Sequence, residues 1–542
     1  MELRTSFSLH ALAPIQQHVR RHGVCNSRRG MIVEADASRV ASVSSSSATR
    51  ENVERLASRT LSLASAATAI FLIGCFAWVA FGRVRYPFDL EWMEGGLVDE
   101  ARRLISGKGV YVEPSVEFVP FLYNPLYFVV SGVASTILGP TTLPLRVVSI
   151  TSTFVAFGLI FYVIRREGGN LLAALCGVGL YAGTYSLSGG WFDIARVDSL
   201  CIALALASVA VARWATTPRA LVAAAILSVL SFLTKQNAVL LVGGLAGGLL
   251  ALRGARAAAI YLVTSATLIG AAVLAMNVTS GGWYLFYTLI MPGEHARSPE
   301  LYVDFWRVEL FSHLPIALAL GVMFLVSSAR KPWSVRAYYG SVALSLVLAA
   351  YGSRIISWSY VNDLMPAHAC LALLFGLGMA DLNGWGPPAS RSRRAAASIL
   401  AVVQLLVLVD DPHRWIPSAE DSREGARTLA AIRRTPGDVY VAEHPNLAVQ
   451  VGKRAYAHEM AVMDIVRMEH DRQDAQKILS ASFEQAYAAH RFSSVITDDH
   501  IALQPLLDRY YRPVRPNFVR DRDAFFPRTG GHIRPINLFV PR

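Results

Sequence analysis

Three carboxylates, Asp89, Glu91 and Glu94, fall together in "FDLEWMEGGLVDEARRLISGKGVY" (88–111), directly after a strongly apolar run. Acids among aromatic and apolar neighbours can take a proton from a hydroxyl, hold a divalent cation or neutralise a buried base. Similar polar clusters interrupt the apolar sequence further on. "GGWFDIARVDS" carries Asp193, Arg196 and Asp198, and "LTKQNAV" carries Lys235 and Gln236. "GGWYLFYTLIMPGEHARSPELYVDFWR" carries Glu294, His295 and Arg297, and "GSRIISWSYVNDLMP" carries Arg354, Tyr360 and Asn362. Any one of these could be a solvated or snorkelling charge at the end of a span. Lys235 is harder to dismiss. Only the brief polar turn 234–237 separates its two apolar runs, so the ammonium needs water, a carboxylate or a phosphate close by.

The elements that must position these residues are membrane helices. The 542-residue chain is 53% hydrophobic and only 17% charged, against about one-quarter charged in an ordinary soluble domain. Its apolar residues come in runs of roughly 15–25, enough to cross a bilayer. Candidate spans are 61–82, 143–164, 171–187, 199–212, 220–233, 238–252, 257–279, 314–327, 337–351, 364–380 and 395–409. The segment 121–138 is ambiguous. If it does not span, Arg165, Arg166, Arg213, Arg219, Arg253, Arg256, Arg330, Lys331, Arg336, Arg391, Arg393 and Arg394 all fall on one side with the Arg-rich N-terminus. The positive-inside rule makes that side cytoplasmic. The reading is then about eleven spans, with 121–138 at the outer interface, where Pro125 and the aromatics of "FLYNPLYF" suit it.

This topology puts every polar cluster named above on the outer side. It divides the chain into a disordered cytoplasmic tail (1–55), a transmembrane domain (56–410) with its first outer loop at 83–142, and an extracytoplasmic domain (411–542). The tail is rich in Ser and Arg, including "SVSSSSATR". The last domain has soluble-type patterning. "DVYVAEH", "FSSVITDD" and "INLFVPR" read as strands, and "SREGARTLAAIRR" and "DRQDAQKILSASFEQAYAAH" read as helices, which makes a small α/β domain. The location expected is the inner (plasma) membrane, multi-pass, with the N-terminus inside and the C-terminal domain outside.

Within the first outer loop, residues 93–106 have helical periodicity. Leu97, Val98, Ala101 and Ile105 form an apolar stripe. Asp99 and Arg103 lie on the other side and can pair across one turn. Glu94 projects onto the apolar stripe, either as an anion favoured at the helix start or as a site residue turned inward.

Other classes of function lack their signatures. The net charge of +12 is accounted for by cations between spans, and no aromatic–basic RNA motif accompanies it, so nucleic acid is not an expected partner. Cys25, Cys75, Cys176, Cys201 and Cys370 show neither CxxC nor Cys/His ligand spacing. P-loop, GxGxxG, HExxH and GxSxG motifs are missing. Outward-facing acids and cations beside lipid suit a substrate that arrives in the membrane.

These residues resemble the GT-C glycosyltransferase superfamily, which includes protein O-mannosyltransferases and the aminoarabinose transferases of lipid A. "EGGLVDEARRLISGKGVY" is similar to the family's acidic motif followed by "AR.L..G..Y". "YNPLYF" is similar to its Pro-containing segment, "ARVDSL" to its "ARPD"-like motif, and "SYVNDLMPAHACLALL" to its late Tyr–Pro segment. The likeness covers about residues 61–410. Aligned on "AR.L", Glu94 stands at the family's Glu, but Met93 stands at its Asp. The resemblance implies an integral-membrane glycosyltransferase that moves a sugar from a polyprenyl-phosphate-linked donor to a hydroxyl of an extracytoplasmic glycan, lipid or protein, with inversion. Under it, Asp89 is the first choice of base, Glu91 the second, and Glu94 orients the acceptor. Asp89 and Glu94 would hold a divalent Mg or Mn ion if one is used. Lys235, Arg196, His295 and Arg297 would bind the donor phosphate, and Asp193, Asp198, Gln236, Arg354 and Tyr360 the rest of the substrate. Two alternatives remain. One is a transporter or flippase of a lipid-linked glycan, although no clear inverted repeat of broken helices is present. The other is a non-catalytic assembly or sensing protein.

Overall fold

The computed structural model describes residues 28–328, 330–382, 391–498, 501–514 and 523–542, with side chains from residue 52 onward except that of residue 391. Residues Ser58–Arg542 form one compact unit, and Met1–Ala57 are counted apart from it.

The long helices are α1 (Arg28–Arg83), α4 (Thr142–Arg166), α5 (Leu171–Gly183), α6 (Asp198–Trp214), α7 (Pro218–Phe232), α8 (Val239–Arg253) and α9 (Ala255–Thr279). After them come Pro315–Ser327, Trp333–Arg354, Met365–Leu382 and Arg391–Leu406. Two shorter helices, α2 (Glu94–Ile105) and α3 (Leu126–Leu138), lie between α1 and α4. Each candidate span coincides with one of the long helices. Among the described residues, five helices are long and apolar enough to cross a membrane, or six if the bent pair Leu301–Phe311 and Pro315–Ser327 is one span. The rest are shorter. The ambiguous segment contains α3, whose 13 residues equal the length of α5 and of Pro315–Ser327.

Start and stop signals in the sequence fix the helix ends. Asn170 and Thr217 cap α5 and α7 by accepting the N–H groups of Ala173 and Ala220. Gly254, with φ of +84°, separates α8 from α9, a turn that an L side chain resists. The tail expected to be disordered is helical from Arg28 onward. No Gly or Pro interrupts residues 31–73, so nothing stops the helix of the first span from extending backward. Residues 1–27, including Cys25, lie outside the described residues.

The C-terminal part carries a four-stranded sheet in the order β1–β2–β4–β3, with β1 Val439–Val441, β2 Ser494–Thr497, β3 Tyr511–Val514 and β4 Asn537–Pro541. β1 and β2 are parallel, and β4 is antiparallel to both of its neighbours. The sequence had marked three of these strands. β3 escaped because "YRPV" contains a proline, which is tolerated on this edge strand. Both expected helices form, as Ala419–Arg434 and Ala475–Ala488, the first with a Ser418–Asp421 capping box.

The acidic loop is tied into this fold. Arg146 of α4 spans Glu94 with Nε to Oε1 at 3.0 Å and Nη2 to Oε2 at 2.5 Å, and it also donates to the carbonyls of Tyr86 and Phe88. Arg83, at the end of α1, donates to both oxygens of Asp193, at 2.8 and 2.6 Å. Both ion pairs are buried. Buried pairs of this kind fix geometry more than they add stability, and removing one partner costs about 3–5 kcal/mol.

Candidate functional site

A cavity of about 940 Å³ opens where the helix ends, the acidic loop and the C-terminal domain meet. Glu91 and Arg196 lie on its inner wall. Arg196 Nη1 is 3.3 Å from Glu91 Oε2, Nη2 donates to the Tyr123 hydroxyl at 2.5 Å, and the guanidinium stacks on Trp191 at 4.9 Å. Met93 N–H donates to the same Glu91 oxygen at 3.2 Å. Burial pushes the Glu91 carboxyl up to about 8, against the downward pull of Arg196.

Lys235 also lines the cavity. Its Nζ lies between Asp198 Oδ1 at 2.7 Å and Asp363 Oδ1 at 2.8 Å. Asn362 and the indole N–H of Trp191 add donors to Asp198. Two carboxylates therefore answer what this ammonium needs, and its charge is more than compensated. Gln236 lines the cavity too, with its amide N–H₂ on Leu122 O and its oxygen buried without a partner.

At the mouth the cavity is lined by His295, Arg297, Trp358 and Tyr360 from the helical part and by Asp464 and Arg467 from the C-terminal part. His295 Nε2 donates to Asp464 O at 2.8 Å. Arg467 stacks on Trp358 at 4.9 Å and stands 3.8 Å from Asp464. Trp358 is 75% exposed and has φ of +69°, a strained conformation for a bulky residue and of the kind that clusters at functional sites. The Arg297 guanidinium has no ion-pair partner among the described residues. Val239, Leu240, Leu289 and Leu348 are apolar, exposed members of the cavity lining.

Several expected site residues are placed elsewhere. Glu94 is fully buried off the cavity, and the N–H groups of Leu90 and Ala195 join Arg146 in saturating it. Burial pushes its carboxyl up, but Arg146 and these donors outweigh that and hold it below the usual range. Asp89, the first choice of base, is turned away from the cavity onto His444 of the C-terminal domain, with Oδ2 at 2.8 Å from Nδ1. Burial raises the Asp89 carboxyl; burial pulls the His444 imidazole down, but the contact with Asp89 outweighs that and leaves it above the usual range. Asp193 is spent on Arg83, Asp198 lies behind Lys235, and Arg354 pairs with Glu309 at 2.7 Å. Asp99 pairs with Arg102 rather than Arg103, which turns to the carbonyl of Gly109 and the ring of Phe118.

Asp89 and Glu94 do not suit a shared divalent ion, because Glu94 is saturated, although Asp89 Oδ1 is buried without a partner. Among the described residues no group of three or more His, Cys, Asp or Glu side chains could hold a metal. Cys75, Cys176, Cys201 and Cys370 are free thiols.

The residues that sequence reasoning missed are Tyr123, Trp191, Asp363, His444, Asp464 and Arg467. Asp363 stands beside the noted Asn362 in "SYVNDLMP", and its acid among apolar residues was a usable signal. The C-terminal residues had none, because their role depends on how that domain docks.

No protein-family model matches the sequence, and no curated protein matches it. Solved structures do match. ArnT from Cupriavidus metallidurans bound to undecaprenyl phosphate aligns with a TM-score of 0.56 at 12% identity, over 87% of this chain and 97% of that one. ArnT from the same organism in the apo state gives 0.55 at 13% identity, over the same shares. AglB from Archaeoglobus fulgidus, in complex with an inhibitory peptide and a dolichol-phosphate, is a looser likeness, with a TM-score of 0.44, 12% identity, and 82% and 72% of the two chains covered. This chain has the GT-C fold: a polytopic helical membrane protein with a small C-terminal α/β domain.

Proposed function

We propose that the protein is an integral-membrane glycosyltransferase that moves a sugar from a polyprenyl-phosphate donor to an acceptor hydroxyl. The observation that carries this reading is the cavity. Its lining joins exposed apolar residues (Val239, Leu240, Leu289, Leu348) to a buried carboxylate, Glu91, which burial pushes up to about 8. A lipid tail suits the first and a hydroxyl suits the second. The likeness to ArnT from Cupriavidus metallidurans bound to undecaprenyl phosphate agrees with it.

Glu91, not Asp89 or Glu94, is the base in this reading. Its Oε2 is fixed by Arg196 and by Met93 N–H. It takes the proton of the acceptor hydroxyl, whose oxygen bonds to the anomeric carbon as the bond to the phosphate oxygen breaks. The polyprenyl phosphate leaves as an anion and needs cations rather than a strong acid. Arg297 and Arg467 at the mouth supply that charge. Lys235, clamped by two acids, orders Asp198 and Asp363 instead of meeting the phosphate. A single displacement inverts the anomeric centre. The acidic-loop end of the helices faces outward and the Arg-rich end faces the cytoplasm, as the positive-inside rule requires.

The test is to incubate purified protein with undecaprenyl phosphate linked to mannose, glucose or arabinose, together with membrane extract, and to measure free undecaprenyl phosphate. Release supports an enzyme. Movement of intact donor across vesicles without release overturns the reading in favour of a transporter.

A further inference from the structure

Besides Asp464 and Arg467, which line the cavity, the C-terminal domain brings a short segment, 529–533, immediately before β4, up to Glu91 itself. β4 is hydrogen-bonded on both sides, so the chain entering it is held firmly. Ile536 N–H extends the pairing to Thr497 O at 2.9 Å. From there the segment runs across the acidic loop. Thr529 N–H donates to Leu90 O at 3.0 Å, next to Glu91. Gly530 lies against the Glu91 side chain. A Cβ at Gly530 would stand 2.9 Å from Glu91 Cγ and 3.2 Å from Oε1, and its φ is +75°. Only glycine allows both the backbone turn and this approach. At the far end, Ile533 O accepts from His444 Nε2 at 3.1 Å, while Nδ1 of the same ring meets Asp89 at 2.8 Å. One imidazole thus joins the segment to the acidic loop. Gly530, Gly531 and Ile533 also line the cavity.

We propose that segment 529–533 is a positioning strap for the reacting carboxylate: Gly530 backs the free side of Glu91, opposite Arg196, and His444 clasps strap and acidic loop together. The proposal rests on the reading of Glu91 as the base. Among the described residues Arg196 and Met93 N–H hold Oε2 alone, and the strap is what packs on the Oε1 side of the carboxylate. A carboxylate that must meet an acceptor hydroxyl within hydrogen-bond reach tolerates little drift. The C-terminal domain therefore serves the reaction twice, through the Arg467 charge and through the strap that positions Glu91.

The experiment uses the full-length protein and release of undecaprenyl phosphate from the sugar-linked donors. Gly530→Ala should lower kcat by about ten- to a hundredfold, the size of effect that misplacing a reacting group produces. It should leave the donor KM within about twofold and move the pH midpoint of kcat, because Glu91 changes its surroundings. Thermal unfolding gives an independent reading through a double-mutant cycle. Gly530→Ala should destabilise wild type more than it destabilises Glu91→Ala, which lacks the Cγ that the new methyl meets; backbone strain at position 530 cancels in the comparison. If Gly530→Ala does not accumulate, His444→Gln tests the strap from its other end, with the same fall in kcat and shift in pH midpoint expected. Wild-type kcat and pH profile in the tested variant, or equal destabilisation in both backgrounds, overturns the strap. Activity retained in Glu91→Gln overturns the reading of Glu91 as base, a separate failure.

Discussion

Glu91 and Glu94 are close neighbours on one loop, both buried, and each faces an arginine. Glu94 has both oxygens occupied, by Arg146 and two backbone N–H groups, and no access to the cavity. Glu91 has one oxygen held, at the longer distance of 3.3 Å from Arg196, and it faces the cavity. Saturation holds the Glu94 carboxyl below the usual range, whereas burial without saturation lifts Glu91 to about 8. Being buried and charged is common to both. What separates a saturated carboxylate from one still able to accept a proton is how many of its lone pairs the fold has already used.

The sharpest way to break the comparison is Glu91→Gln. It should reduce turnover by about 10²–10⁴-fold, the contribution of a positioned base, with protein abundance unchanged. Undecaprenyl phosphate release measures it, and normal turnover would end the distinction. Arg146→Met should do the reverse. It strands Glu94 in the interior and should cost about 3–5 kcal/mol of stability, read as lost thermal stability and lower membrane abundance. A variant that folds normally but is slow would make Glu94 a functional acid after all.

The pH dependence sharpens the contrast further. A base must be ionised, and the Glu91 carboxyl is pushed up to about 8. Turnover should therefore rise with pH toward a plateau above that value; a profile already flat at pH about 6 would show that another group is the base. The smallest effect expected is from Arg297→Gln. Losing one charge-assisted contact worth about 1.5 kcal/mol should raise the donor KM roughly tenfold with kcat unchanged. A fall in kcat alone would remove Arg297 from donor binding.

Much of the architecture was legible in the sequence. Each apolar run became one helix, because a run of that composition can satisfy its backbone in lipid only as a helix. The inward aim of Glu94 followed from its place on the apolar stripe of α2. The span 121–138 stood out because its charge consequences and its Pro125 disagreed with crossing. The site was less legible. Asp89 looked the better base because it precedes the family's acidic position, yet the docked C-terminal domain presents His444 to it and takes it out of the cavity. Lys235 looked like a phosphate anchor because its two acidic partners, Asp198 and Asp363, are distant in sequence.

Sequence alone thus determined the helices, the grouping of acids and cations in the segments between them, and the list of charged residues in unusual places. Period, composition and charge distribution are local properties and can be read locally. Tertiary structure decided which carboxylate is saturated, which cation is already neutralised and which glycine lies against Glu91. Those outcomes depend on partners brought together from separate stretches of chain, and only packing selects them.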